Sequence, residues 1–187
     1  MSSEIARMIG TNECGGAFKV AERIEVRRLG VGDAIDFVEF MEKMVSETNF
    51  LLPTLDEVNR DIEKQKKMIE NFGSQKNVFV AWESNSVVGF LGLTRLGMNK
   101  VKHIANFAIG VLKSCRRRGI ATGLMLEGER WLRSEGVRRV EMTVAVSNVE
   151  AISLYKKLGF REEGLRAKSL NIDGELQDEL YMGKILE

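Results

Sequence analysis

The sequence predicts a mixed α/β domain: a central sheet of about seven strands with about four helices on its two faces. Segments of period 2 and period 3.6 follow one another in the order β-α-α-β-β-β-α-β-α-β-β, which implies a mixed sheet. An apolar run, Phe107 to Leu112, feeds a basic, glycine-bearing turn and then an amphipathic helix. The 187 residues, 44% hydrophobic and 29% charged, suit one domain whose core needs no staples.

Residues 1–22 show no clear period and read as an N-terminal extension; the domain proper spans 23–187. Arg23 to Leu29 alternates like an edge strand. Asp33 is the expected cap of a helix whose apolar set is Ile35, Val38, Met41 and Val45. After a loop from Ser46 to Pro53, Thr54-Leu55-Asp56-Glu57 is a capping box, predicting a charged helix to about Asn71. Val78–Trp82 and Val87–Leu93 flank a four-residue turn and read as a hairpin. A long strand covers 102–112, and the helix after it buries Ile120, Leu124, Trp131 and Leu132. Arg139–Val146 is a strand; Asn148 then caps a helix that Gly159 ends. Two closing strands flank the turn Asn171-Ile172-Asp173-Gly174.

Lys and Arg total 28 against 27 Asp and Glu, a net charge of +1. That balance, with no basic stripe, argues against a nucleic-acid partner and against an anionic membrane surface. No apolar run approaches the roughly 20 residues of a membrane-spanning helix, and the N-terminus lacks a signal peptide's apolar core. Cys14 and Cys115 form neither a disulfide framework nor a metal spacing, so the expectation is a reducing, cytoplasmic setting and no metal.

The chemistry concentrates in Arg116-Arg117-Arg118-Gly119-Ile120-Ala121-Thr122. A helix start leaves backbone N–H groups without partners and carries positive potential, so it cradles anions. Gly119 permits close approach, and the arginines pair with phosphate oxygens. The Walker pattern and the dinucleotide fingerprint are both absent. A solvated basic turn is the plain alternative.

Arg116-x-x-Gly119-x-Ala121 after a strand resembles the acetyl-CoA signature of the GNAT N-acetyltransferase superfamily. Asn148-x-x-Ala151-x-x-Leu154-Tyr155-x-x-Leu158-Gly159-Phe160 is similar to that family's second motif. Glu163-Gly164 and Asp173-Gly174 through Asp178 to Met182 resemble members that acetylate small amines, amino acids or protein N-termini. The resemblance implies acetyl-CoA as cosubstrate, held by residues 116–122 with Asn148 and Tyr155. Its pantetheine arm would pair with Ile109 and Val111 where two strands splay. It implies direct attack by an amine, an oxyanion held near Val111, and Tyr155 as the acid for the leaving thiolate. The final strands often pair between subunits in that family, so a homodimer is a further expectation. A protein N-terminal acetyltransferase and a non-catalytic CoA-binding module are the alternatives. Asn148 also reads as a plain N-cap and Tyr155 as a core residue.

The general base stays open between two residues. Many family members carry a glutamate on the strand before the cradle, and none lies between Lys102 and Leu112. His103, at that strand's start, is the single histidine and one candidate base. Glu47, in the loop after the first helix, is the other candidate. Cys115 sits beside the arginines, but no second histidine or aspartate supports it as a nucleophile. The acceptor is expected to be a small amine or amino acid, since few acidic residues frame the cleft a polyamine would need.

Overall fold

The structure is a computed structural model that describes residues 24–187; the expected extension at 1–22 and Cys14 lie outside them. Seven strands form one sheet in the order β1-β2-β3-β4-β5-β7-β6. They are β1 Ile24–Arg28, β2 Lys76–Glu83, β3 Ser86–Arg95, β4 Ile104–Val111, β5 Arg139–Ala145, β6 Arg161–Ile172 and β7 Glu175–Ile185. The helices are α1 Ala34–Ser46, α2 Ile62–Glu70, α3 Ile120–Ser134 and α4 Val149–Lys157. Neighbouring strands are antiparallel except β4 and β5, which run parallel. The mixed sheet expected from the order of elements is therefore present.

Two cores lie on opposite faces. Ile120, Leu124, Trp131 and Leu132 of α3 and Ile152 and Tyr155 of α4 pack with Leu91, Leu93, Val140 and Met182 of the sheet. Phe37, Phe40 and Met44 of α1 and Ile69 of α2 pack with Val80 and Phe90 on the other face. The edge position of β1 follows its alternation, and Ser84 and Asn85 turn the β2–β3 hairpin with φ of 47° and 67°, as a two-residue type I′ connection requires.

Two expectations for α1 need correction. Ile35 is 55% exposed rather than buried. Phe37 and Phe40 set the rotation of α1 by packing edge-on to Phe90, at 6.3 and 5.9 Å between centroids. Ile35 lies about 200° around the helix from Phe37 and so faces outward. Asp33 does precede α1, but its carboxylate turns back to Arg27 and to the Gly30 N–H, at 2.7 Å for the latter, instead of capping the helix. The Arg27 guanidinium holds the Asp33 carboxyl below the usual carboxylate range.

The Thr54–Glu57 box forms, with the Thr54 N–H 2.9 Å from Glu57 Oε2, yet it closes only a turn. Arg60 then pairs with Glu42 of α1 and donates to the Leu55 carbonyl at 3.0 Å, which pins the segment. The helix starts afresh at Ile62 under Asp61, whose side chain accepts from the Lys64 N–H at 3.1 Å.

Candidate active site

Pairing between β4 and β5 covers Ile104–Arg139, Ala105–Val140 and Asn106–Glu141, and then stops. Both strands continue, β4 to Val111 and β5 to Ala145, so a cleft opens between them. Leu112 N–H donates to Val88 and Leu96 N–H donates to Ile104, which fixes the even-numbered backbone groups of β4 toward β3. By alternation, Phe107, Ile109 and Val111 turn their backbone groups toward the cleft. Arg116 Nε donates to the Val111 carbonyl at 3.1 Å. Beyond Asn106, no strand pairs with β4 on that side among the described residues. Ile109 and Val111 therefore stand where an extended ligand amide can complete the sheet.

The cradle lies at the cleft's outer end. Gly119 takes φ of 80° and starts α3. The backbone N–H groups of Arg117, Arg118, Gly119, Ile120, Ala121 and Thr122 make no hydrogen bond among the described residues; the first helical bond runs from Gly123 to Gly119. A run of free donors at a helix start fits a diphosphate. The three arginines separate in role. Arg116 braces the end of β4. Arg117 is exposed and reaches Glu150 at the start of α4, at 2.7 Å. Arg118 makes a two-point pair with Glu83 on the β2–β3 hairpin, with Nη1 at 3.0 Å, which holds the Glu83 carboxyl low. In this structure the Arg118 guanidinium is engaged by Glu83 rather than free. Its backbone N–H remains in the cradle. Cys115 is buried beside Glu83, its Sγ 3.8 Å from that carboxylate.

Asn148 caps α4 through Oδ1, which accepts the Ala151 N–H at 3.3 Å. Its amide nitrogen donates to nothing among the described residues. Gly159, at φ 90°, ends that helix, and Phe160 N–H returns to the Tyr155 carbonyl at 3.0 Å. The Tyr155 ring is buried between Phe107 and Phe160, with centroids 5.6 and 5.9 Å away. Phe107 is the first residue after β4–β5 pairing ends, so Tyr155 borders the cleft. Its hydroxyl makes no hydrogen bond among the described residues and is not an enclosed orphan, so it retains an opening. Burial pushes the Tyr155 phenol up from its ordinary value.

The two candidate bases fall at opposite ends of β4. Glu47 ends α1, and its Oε2 accepts the Lys113 N–H at 2.7 Å. Lys113 is two residues past Val111, about 7 Å of extended chain. His103 is exposed in the turn before β4. It is separated from Val111 by the whole strand, about 27 Å at a strand's rise per residue. The structure thus brings Glu47 to the cleft and leaves His103 outside it.

Two contacts were not read from the sequence. Asn49 Nδ2 donates to Asp173 Oδ2 at 2.7 Å, joining the loop after α1 to the β6–β7 turn. Glu179 is buried opposite Ala145, at the cleft end of β5. Both join segments far apart in sequence, and no local spacing marks either. Among the described residues no group of metal-ligating side chains forms, and no helix is long and apolar enough to cross a membrane.

The sequence profile described as the acetyltransferase (GNAT) family matches residues 41–160. The chain is 38% identical over 110 residues to an L-amino acid N-acetyltransferase of Escherichia coli, across 57% of this chain and 66% of that protein. It is 34% identical over 107 residues to an N-alpha-acetyltransferase of Saccharolobus solfataricus, across 52% of this chain and 63% of that protein. The matched segments thus span less than two thirds of these relatives. The fold is similar to yncA of Salmonella typhimurium, solved with its cofactor acetyl-CoA, with a TM-score of 0.77 and 17% identity over 88% of this chain and 95% of that one.

Proposed function

The chain belongs to the acetyltransferase (GNAT) family, and from that premise we propose that it moves an acetyl group from acetyl-CoA to a primary amine. The carrying observation is the row of N–H groups from Arg117 to Thr122, unpartnered among the described residues, set beside a cleft whose β4 backbone is likewise unpaired. The diphosphate of CoA sits on that row, with Arg116 and Arg117 beside it. The pantetheine amides pair with Ile109 and Val111, and the Asn148 amide nitrogen is free to bond the arm. Both protein and ligand backbone groups are then satisfied away from water.

The amine arrives from the face of α1. It is a nucleophile only after losing a proton, and Glu47 accepts that proton directly or through a water. The nitrogen attacks the thioester carbonyl. The Val111 N–H stabilises the oxyanion. The carbon–sulfur bond then breaks and Tyr155 protonates the thiolate. The acceptor is a small amine or amino acid, supported by the named activity of the Escherichia coli relative. The protein N-terminal reading is supported by the N-alpha-acetyltransferase relative. The exposed outer edge of β6 supports the homodimer reading, and the buried Cys115 thiol, unpaired among the described residues, supports a reducing compartment.

The test is calorimetry with acetyl-CoA followed by a thiol-release screen of amines. Saturable binding and thiol release with at least one amine are expected. Absence of binding at millimolar acetyl-CoA removes the proposal, and binding without turnover leaves a CoA-binding module.

A further inference from the structure

Among the described residues, the sheet face opposite α3 and α4 has no core helix over β5, β6 and β7, and it holds a carboxylate that the reaction above does not use. Glu179 is 7% exposed. It faces Ala145 in register, which places it level with the open end of the β4–β5 cleft. Its Oε2 accepts Arg166 Nη1 at 3.2 Å and Ser169 Oγ at 2.8 Å. Its Oε1 has no partner among the described residues, yet it is absent from the enclosed orphan atoms, which belong to Gln65, Trp82 and Arg95. That oxygen therefore opens outward. Arg166 is half exposed and uses Nη1 alone on Glu179, leaving Nη2 and Nε free among the described residues.

The arrangement is built by an irregularity. Between Arg166 and Leu170, β6 carries two more residues than the facing stretch of β7, from Glu179 to Gln177. Lys168 takes φ of 50° there, and its N–H is held by Asp178 Oδ1 at 2.8 Å. A non-glycine residue in this region carries strain that its surroundings must offset. The bulge brings Ser169 onto Glu179, and bulges re-aim side chains in this way beside sites.

We propose that Arg166 and Glu179 form the acceptor-recognition pair and that the acceptor is a free, zwitterionic α-amino acid. Arg166 takes the α-carboxylate and Glu179 Oε1 takes the ammonium, with Ser169 as a positioning residue. The inference rests on the acetyltransferase reading and names its substrate class. A one-point ion pair leaves a cationic edge and an anionic edge side by side. An α-amino acid carries its two charges at that same close spacing. The pair is neutral overall, so it gives a polycation no net attraction. A peptide N-terminus has no adjacent carboxylate and leaves Arg166 unmatched. The turn of the same β6–β7 hairpin contacts Asn49, two residues from Glu47, so the hairpin that carries Arg166 and Glu179 also reaches the loop that carries the proposed base.

The experiment measures kcat and KM with free L-amino acids, their C-terminal amides and a short unmodified peptide. It uses wild type, Arg166→Gln and Glu179→Gln, with an acetyl-CoA thermal shift on each. Wild type is expected to prefer a free amino acid over its amide. Arg166→Gln is expected to raise KM about tenfold for the free acid alone, the scale of one charge-assisted hydrogen bond. Glu179→Gln keeps the side chain's shape and is expected to raise KM for acid and amide alike. Amides or the peptide accepted as well as the free acid, or an Arg166→Gln effect that is equal on both or absent, overturns the proposal while the acetyltransferase reading stands. No transfer to any amine overturns both. Arg166 is half exposed, so its variant folds even if Glu179→Gln does not.

Discussion

The Glu47 carboxylate is fastened to the Lys113 backbone N–H at 2.7 Å, which ties the end of α1 to the exit of β4. One oxygen is thereby engaged, and in the proposed mechanism the other accepts the proton of the acceptor nitrogen. Glu47→Gln keeps an acceptor for Lys113 but removes the basic oxygen. Its kcat is expected to fall about 10²-fold, the lower range for a positioned general base, with acetyl-CoA affinity unchanged in calorimetry. A kcat within twofold of wild type would return the proton step to water.

Tyr155→Phe keeps the ring packed against Phe107 and Phe160 and removes the donor. Turnover is expected to drop while acetyl-CoA affinity holds; a non-catalytic module has no turnover to lose. Burial raises the phenol's pKa, so the folded protein keeps the proton more tightly than the unfolded chain. Its acid function is present at neutral pH and is lost only above the ordinary tyrosine value of about 10. The associated stability is likewise full below that value and is lost as pH rises through the folded pKa. A Tyr155-dependent activity limb near neutrality in the pH profile would contradict the donor role.

The cradle separates side chain from backbone. Arg118→Ala breaks the partly exposed pair with Glu83 and leaves the row of N–H donors in place. Acetyl-CoA affinity is expected to fall less than with Arg116→Ala, which also frees the Val111 carbonyl. Gly119→Ala meets no neighbouring atom, but it puts a side chain at φ 80°. About 1 kcal/mol of stability should be lost, read by denaturant unfolding. A stabilised variant would show that the left-handed turn is not required.

Gly128 faces the sheet from α3, and a Cβ there would stand 2.4 Å from Leu91 Cδ2 and 3.0 Å from Leu93 Cδ1. Both leucines are fully buried. Gly128→Ala is therefore expected to destabilise by about 1–3 kcal/mol through overpacking, despite the gain in helix propensity. Thermal unfolding that rises instead would show that the α3–β3 contact can spread.

Asp33→Asn removes the charge held by Arg27 and keeps a polar group near Gly30. The folded pKa of Asp33 is depressed, so its contribution is present above the unfolded aspartate value and is lost as pH falls through the folded one. The variant should be less stable than wild type at pH 7, and the gap should close in acid. A gap that stays constant from pH 7 to pH 2 would exclude the ion pair as its cause.

The order of elements, the capped start of α4, the left-handed Gly159 and the Gly119 turn were legible because each depends on neighbours within a few residues. Periodicity placed Leu124 and Leu132 in the core for the same reason. The resemblance carried by Arg116 to Ala121 and Asn148 to Phe160 pointed to the family, which the match over residues 41–160 shows. Rotation of α1 was not legible: Phe37 and Phe40 choose Phe90 across the sheet and push Ile35 out. Nor was the late start of α2, which follows from Arg60 meeting Glu42. At the cleft, residue types alone left the base open between His103 and Glu47 and assigned Arg118 to the ligand. The parallel run of β4 carries His103 to the far end, the α1 terminus reaches Lys113, and Glu83 takes Arg118. Side-chain partners across a sheet are set by register and by packing between distant segments. Local sequence determined the scaffold and the N–H cradle, and only the tertiary structure decided which charged side chains pair with each other, because those pairs join segments far apart in the chain.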